Sequence, residues 1–364
     1  MREFSDSKSF LGALLGAFAL TLTAASPVEA ASVDEIVNLK GPDREKILID
    51  GARKEGEMTW YTSLIVDQVS RPLSDAFQAK YPFIKVNLVR LETAAILQRL
   101  MAEQRASSVR VDVVAGDIAA PMKAAGLAQK FSTPYSTPYG AANVDPDGMW
   151  VSFRSSWQGI AWNTKMVADA DAPKTWDDLL DPKWKGKMVW GSAPDTGAPR
   201  LFTHLRKVLG EDKALEFITK IQKQDVRTLP GSIRTVLDQV IAGEAPIGIS
   251  MAMHHIAISK SLGAPVNGIS PEPVMTRTGV VTMARNLPHP HAGMLFVDYL
   301  LDKDGGAQVM VKAQYNSAHP EVDPLPELRW IQPSKNGKKE VILTPTEEEA
   351  MQPRSVEIYQ KLFR

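Results

Sequence analysis

Between residues 58 and 126 the hydrophobic pattern changes period repeatedly, and that alternation constrains the fold more than any other feature of the chain. Residues 58–62 (MTWYT) are a compact apolar run ending in a Thr-Ser turn, which predicts a strand. Val66, Val69, Leu73, Phe77 and Tyr81 then recur every three or four residues, one face of a helix stopped by Pro82. Residues 84–89 alternate as a strand. Thr93 is placed to cap a helix whose Ile96, Leu97, Leu100 and Met101 face inward. Residues 111–115 read as a third strand, followed by a helix ending at Gly126. This strand-helix order implies a parallel sheet covered by helices.

Further along, strands are expected at 159–162, 187–190, 247–250 and 279–284. Helices are expected at 199–209, 213–223, 253–262, 291–301 and 305–313, and from Ser232 as cap to 242. A last helix is expected at 346–362. Single cores rarely grow beyond roughly 250–300 residues, so 364 residues are enough for two lobes. Equal numbers of basic and acidic residues, 42 each, give no surplus for displacing counterions from phosphate, which argues against nucleic acid. With no cysteine there is no disulfide, thiol nucleophile or lipoprotein anchor.

Residues 10–25 are uncharged and mostly apolar, preceded by Arg2 and Lys8 and followed by Val28-Glu29-Ala30, a small-x-small pattern. The run is shorter than the ~20 residues of a membrane span. A cleaved signal peptide over 1–30 accounts for it, and the periplasm is the expected compartment.

Ligands of open parallel sheets sit beyond the carboxyl ends of the strands, at helix N-termini. Two such lobes facing each other would make a cleft suited to an anion. Four turns fit it: Thr62-Ser63, Ala115-Gly116-Asp117, Asp195-Thr196-Gly197-Ala198 and Gly231-Ser232. Plain helix capping uses the same residue types, but four such turns in one chain favour a shared cleft. Arg154, Arg200, Arg234 and Arg277 fall near element ends, where a guanidinium can fork onto carboxylate or phosphate. Trp60, Tyr61 and Trp157 offer apolar walls. Enzyme signatures such as Gly-x-Ser-x-Gly, Walker A and His-Glu-x-x-His are absent from the sequence. His254-His255 point apart on a helix, and His289 and His291 read as a polar helix entry.

Residues 175–187 (TWDDLLDPKWKGK) resemble a signature of bacterial extracellular solute-binding proteins, in the branch of ferric-ion-binding proteins and binders of organic anions and phosphonates. Further matches are 159–164 (GIAWNT), 241–244 (IAGE), 288–292 (PHPHA) and 296–300 (FVDYL). The resemblance implies a type II periplasmic-binding fold of the α/β class, two lobes with a central cleft and two hinge crossings near 151–156 and 272–278. Lobe one would be 31–153 with 277–319, lobe two 154–276, and 320–364 a tail packing back on a lobe. It also implies a monomeric receptor that hands its solute to an ABC-type inner-membrane permease, with no catalysis and no cofactor.

Where the branch places its iron-binding His and Tyr-Tyr pair, this chain has Ile65 and Met253-His254, while Asp117 lies near the acidic position. Thr196-Gly197-Ala198 matches the branch's anion-binding turn, and Arg154 its cleft arginine. Losing the metal ligands while keeping the anion grip points to a solute that is itself a small anion: a carboxylate, phosphonate or phosphate ester. The expected ligand-binding set is Thr62, Ser63, Asp117, Arg154, Trp157, Thr196, Gly197, Ala198, Ser232, His254 and Arg277, with no metal site; His254 would make uptake pH-sensitive. Alternatives are a metal or ferric-chelate receptor using Asp117 and His254, a periplasmic sensor partner of a histidine kinase, and an exported hydrolase using Ser63 or Ser232 beside His254.

Overall fold

Helices α1 (Val33–Val37) and α2 (Arg44–Glu55) lead in, the second ended by Gly56 in the left-handed conformation. The computed structural model describes residues 31–194 and 197–363, so the expected signal peptide and Thr196 lie outside the described residues. The alternating region folds as β1 (Glu57–Thr62), a π turn (Val66–Ser70) running into α3 (Arg71–Lys80), β2 (Lys85–Arg90), α4 (Thr93–Arg105), β3 (Val113–Gly116) and α5 (Ala119–Ala124). Across the π turn and α3 the periodic residues Val69, Leu73 and Phe77 are fully buried. Phe77 packs edge-on against Phe296, which also meets Trp60. Two local expectations change. Glu92, not Thr93, is the N-cap of α4, so Thr93 is its first helical residue. Met101 is exposed, because the buried stripe of α4 is only Ile96 and Leu100 wide.

After β4 (Ala128–Gln129) comes a strand much longer than expected, β5 (Val151–Asn163). Then follow β6 (Met188–Gly191), α6 (Ala198–Leu209), α7 (Glu211–Gln222), β7 (Arg227–Leu229), α8 (Ile233–Ala242), β8 (Ile247–Ala252), α9 (Met253–Ser261) and β9 (Val266–Ile269). A second long strand, β10 (Val274–Ala284), precedes α10 (Pro290–Leu301), α11 (Gly306–Lys312), β11 (Asn316–Ser317), β12 (Glu340–Leu343) and α12 (Pro345–Phe363). At the start of α10 the histidines form the polar entry the sequence suggests. The His289 N–H donates to Asp112 Oδ1 at 2.6 Å, and the Ala292 N–H to Glu55 Oε2 at 2.8 Å, satisfying helix-end donors.

The sheet order is β2-β1-β3-β10-β5-β8-β6-β7. Its two ends, β2-β1-β3 and β8-β6-β7, are parallel as the alternation implies. The centre is not: β10 runs antiparallel to β3 and β5, and β5 antiparallel to β8. These long strands cross between the ends. Residues 151–157 of β5 pair with β10, and residues 158–163 pair with β8 and β9. The crossing strands interrupt their apolar residues with polar runs, Arg154-Ser155-Ser156 in β5 and Thr276-Arg277-Thr278 in β10. That is why no apolar run marked their full length.

One core gathers Trp60, Phe77, Phe153 and Phe296; another holds Trp162, Trp190, Phe202 and Tyr359; a third holds Trp157, Val236, Met251 and Ile256. The last helix packs through Tyr359 and Phe363 against Phe202, and Arg206 donates to Met351 O at 2.7 Å. Among the described residues no helix is long and apolar enough to cross a membrane.

Candidate functional site

A cleft of about 670 Å³ opens where the strand ends meet the crossing strands. Helix starts line it from several directions: Leu64 and Ile65 before the π turn, Thr93 and Ala94 opening α4, Ser232 and Ile233 at α8, and Ala252 and His254 at α9. The dipoles of these helix starts favour negative charge. From the crossing strands come Arg154, Ser156 and Arg277. Among the described residues four arginines and two carboxylates line the whole.

Arg154 reaches the cleft because of a glycine. It sits opposite Gly279 in the β5–β10 register, and a Cβ on Gly279 would lie 2.3 Å from Arg154 Nε. Only a glycine lets the guanidinium stem lie across the neighbouring backbone. At the centre is Asp117, directly after β3. Arg277 Nη2 donates to its Oδ2, Arg154 Nη2 stands 3.6 Å from Oδ1, and Arg200 Nη1 stands 3.9 Å from Oδ2. Burial would raise the Asp117 carboxyl, but Arg277, Arg154 and Arg200 outweigh it and hold it at about 2. Arg200 is also paired with Glu348 of α12 at 2.6 Å. Arg154 is the loosest of the three. It is 9% exposed, and its Nε has no hydrogen-bond partner.

In the same cleft His254 lies tilted against His255 and Tyr315, with ring centroids 4.1 and 4.7 Å away. Its Nδ1 lies 3.2 Å from Ser156 Oγ, rather than beside Ser63 or Ser232. Burial, then His255, Arg154, Arg277 and Arg234, push the His254 ring well below its ordinary value. Burial and the same arginines bring His255 to about 3. Both rings stay neutral through the physiological range, so the pH sensitivity expected of His254 does not arise there.

The consequence is for stability instead. His204, on α6, is likewise brought to about 3 by burial and then by Arg200. In each ring the folded pKa lies below the unfolded value of 6.5, so the unfolded chain takes up the proton first. Stability is complete above pH 6.5 and falls as pH drops toward about 3, by about 1.4 kcal/mol per pH unit for each ring. Urea unfolding between pH 7.5 and 4.5 should show this slope, flattened by about one histidine's share in His204→Gln; an unchanged slope in that variant would contradict it.

Of the residues expected from sequence, Ser63, Asp117, Arg154, Ser232, His254 and Arg277 come together in the cleft. Ser232 also caps α8, accepting from the Thr235 N–H at 3.3 Å. Thr62 does not line the cleft: it is buried, donates to Ala115 O at 2.8 Å and accepts from the Leu64 N–H. Trp157 lies in the third core, its indole N–H 3.4 Å from Glu340 Oε1. Gly197 and Ala198 are set back from the cleft. The Gly197 N–H donates to Ala193 O, a Cβ there would strike Gly191 O, and Ala198 is core. The turn touches the cleft through Ala193 and Pro194. Tyr315, which follows α11 and donates to Gln68 Oε1 at 3.0 Å, carried no signal in the sequence. Among the described residues no group of three or more His, Asp or Glu side chains is placed to hold a metal ion.

Long antiparallel strands thus set a polar cleft between the two parallel ends of one sheet. The chain belongs to the bacterial extracellular solute-binding proteins, whose family model matches residues 112–337. Its fold is the type II periplasmic-binding fold of the ferric-binding-protein-like branch. A periplasmic binding protein of Actinobacillus pleuropneumoniae, solved with exogenous fructose-6-phosphate bound, is 21% identical with TM-score 0.71, covering 85% of this chain and 98% of that one. A Trichodesmium protein solved with iron and citrate ligands is 18% identical with TM-score 0.69, covering 85% and 99%. In sequence, Sinorhizobium fredii has a "Probable ABC transporter periplasmic-binding protein" 27% identical over 304 residues, 79% of this chain and 81% of that protein.

Proposed function

We propose that this protein is the periplasmic receptor of an ABC importer for a small anionic solute, a carboxylate, phosphonate or phosphate ester. The arginine cluster carries the reading. Three guanidiniums surround one buried carboxylate, leaving positive charge on buried side chains beside a cleft that helix N-termini also face. An anion seated there would accept from Arg154 and Arg277, with Ser63 and Thr235 at its edge. Relatives with fructose-6-phosphate or with iron and citrate support an anion-compatible cleft in this fold.

Free Fe³⁺ fits poorly, because Asp117 is already engaged by cations that would repel it, and the neighbouring imidazoles are buried. Lobe one would comprise 31–153 and 277–319, lobe two 154–276, with 320–364 packed back as a tail. β5 and β10 would be the hinges, and a ligand bridging both lobes would favour the closed state by its differential affinity. The working unit would be a monomer, exported by a signal peptide over 1–30 and docking on an inner-membrane permease.

A thermal-shift panel of citrate, phosphate esters, phosphonates and Fe³⁺ tests this. At least one anion should raise Tm in a concentration-dependent way and iron alone should not; stabilisation by iron alone overturns the reading.

A further inference from the structure

Beyond Asp117 a second cavity of about 370 Å³ adjoins the cleft, and Thr93, Asp117 and Pro194 line both. Its character is different. Ala119, Ala120 and Pro121 of α5, Val280 of β10, and Pro353 and Val356 of α12 supply apolar walls. Among the described residues its charged lining is one guanidinium, Arg200, against Asp117, Glu348 and Glu349. Arg200 is committed to Glu348 at 2.6 Å, and the carboxylates in excess would repel a second anion. One polar group stands apart: Thr278, 3% exposed, lines the cavity with a hydroxyl that has no hydrogen-bond partner. A buried hydroxyl left without a partner is costly, so a molecule reaching this space has a polar contact to make at Thr278 and otherwise meets the apolar walls, Gln352 and the charged side chains just named.

We infer that this cavity is a subsite for the apolar body of the solute whose charged head sits at Arg154 and Arg277. The solute class is then an amphipathic acid, a carboxylate or phosphonate bearing an alkyl chain or aryl ring, rather than a compact anion. The inference rests on the anion reading above. A head beside Asp117 stands at the junction of the two spaces, so a body of a few carbons passes Pro194 and Thr93 into the cavity. Because α12 forms one wall, the C-terminal segment takes part in selecting the solute. Each methylene buried there should tighten binding about fourfold.

Calorimetry on the purified full chain tests this with acetate, hexanoate, phenylacetate and 6-aminohexanoate, alongside methylphosphonate and phenylphosphonate. Hexanoate or phenylacetate should bind at least tenfold more tightly than acetate, and phenylphosphonate more tightly than methylphosphonate. Val356→Phe, which fills the cavity from the half-buried face of α12, should bring these ratios toward one. Ala120→Leu, from the opposite wall, should do the same if the first variant does not fold. Equal affinity across the series overturns the subsite while leaving the anion reading in place, as does an unchanged ratio in a folded filled variant. Tighter binding of 6-aminohexanoate than of hexanoate overturns the apolar character of the subsite. Binding by none of these acids removes the anion reading, and the subsite with it.

Discussion

Replacing Asp117 by asparagine is expected to lower the unfolding free energy by about 3–5 kcal/mol, the usual cost of removing one partner from a buried charge cluster. Arg277 loses its nearest carboxylate, and Arg154 and Arg200 lose a neighbour at 3.6 and 3.9 Å. The diagnostic outcome is the response to anions. With the internal carboxylate gone, a bound carboxylate or phosphonate becomes the compensating charge. A ligand present at 100 times its Kd then returns about 2.7 kcal/mol. Urea unfolding of wild type and Asp117→Asn, with and without citrate or phenylphosphonate, measures both effects. A variant as stable as wild type, or one no more responsive to either anion than wild type, would contradict the cluster's assigned role.

Arg154→Met should act in the opposite sense on stability and binding. The Arg154 guanidinium is buried with an unpartnered Nε and only a 3.6 Å approach to Asp117. Its removal should leave stability unchanged or raise it by about 1 kcal/mol, since a poorly compensated buried charge is being withdrawn. Affinity for an anion should fall by about 10- to 150-fold, the worth of a charged hydrogen bond of about 1.5–3 kcal/mol. Arg154→Lys should recover little, because an ammonium cannot present two parallel donors. A parallel loss of stability and affinity would show Arg154 to be structural, and unchanged affinity would remove it from the site.

Much of the architecture was legible because it is local. The stripe Val69, Leu73, Phe77 and the cap Ser232 write themselves in residue spacing, and each element is found where the spacing puts it. The crossing strands were legible only in part. Over residues 151–158 β5 mixes Ser, Arg and Gln with apolar residues, and such a mixture does not reveal how far a strand runs. Gly197 shows a different difficulty. Small residues at a helix start serve equally for gripping an anion and for close backbone approach. Gly197 has the second use, because Gly191 lies against it. Thr62 and Trp157 likewise carry suitable chemistry but turn it inward.

Although Arg154 and Arg277 stand inside β5 and β10 rather than at element ends, the amino-acid order alone determined that strands and helices alternate and that helix N-termini follow strand ends. These follow from periodicities of two and 3.6 residues, which short-range sterics impose. Tertiary structure alone decided which arginines converge. Arg154, Arg200 and Arg277 lie far apart in the chain and meet only because β5, α6 and β10 carry them to Asp117. Their charge becomes usable only there, where burial removes the water that would screen it.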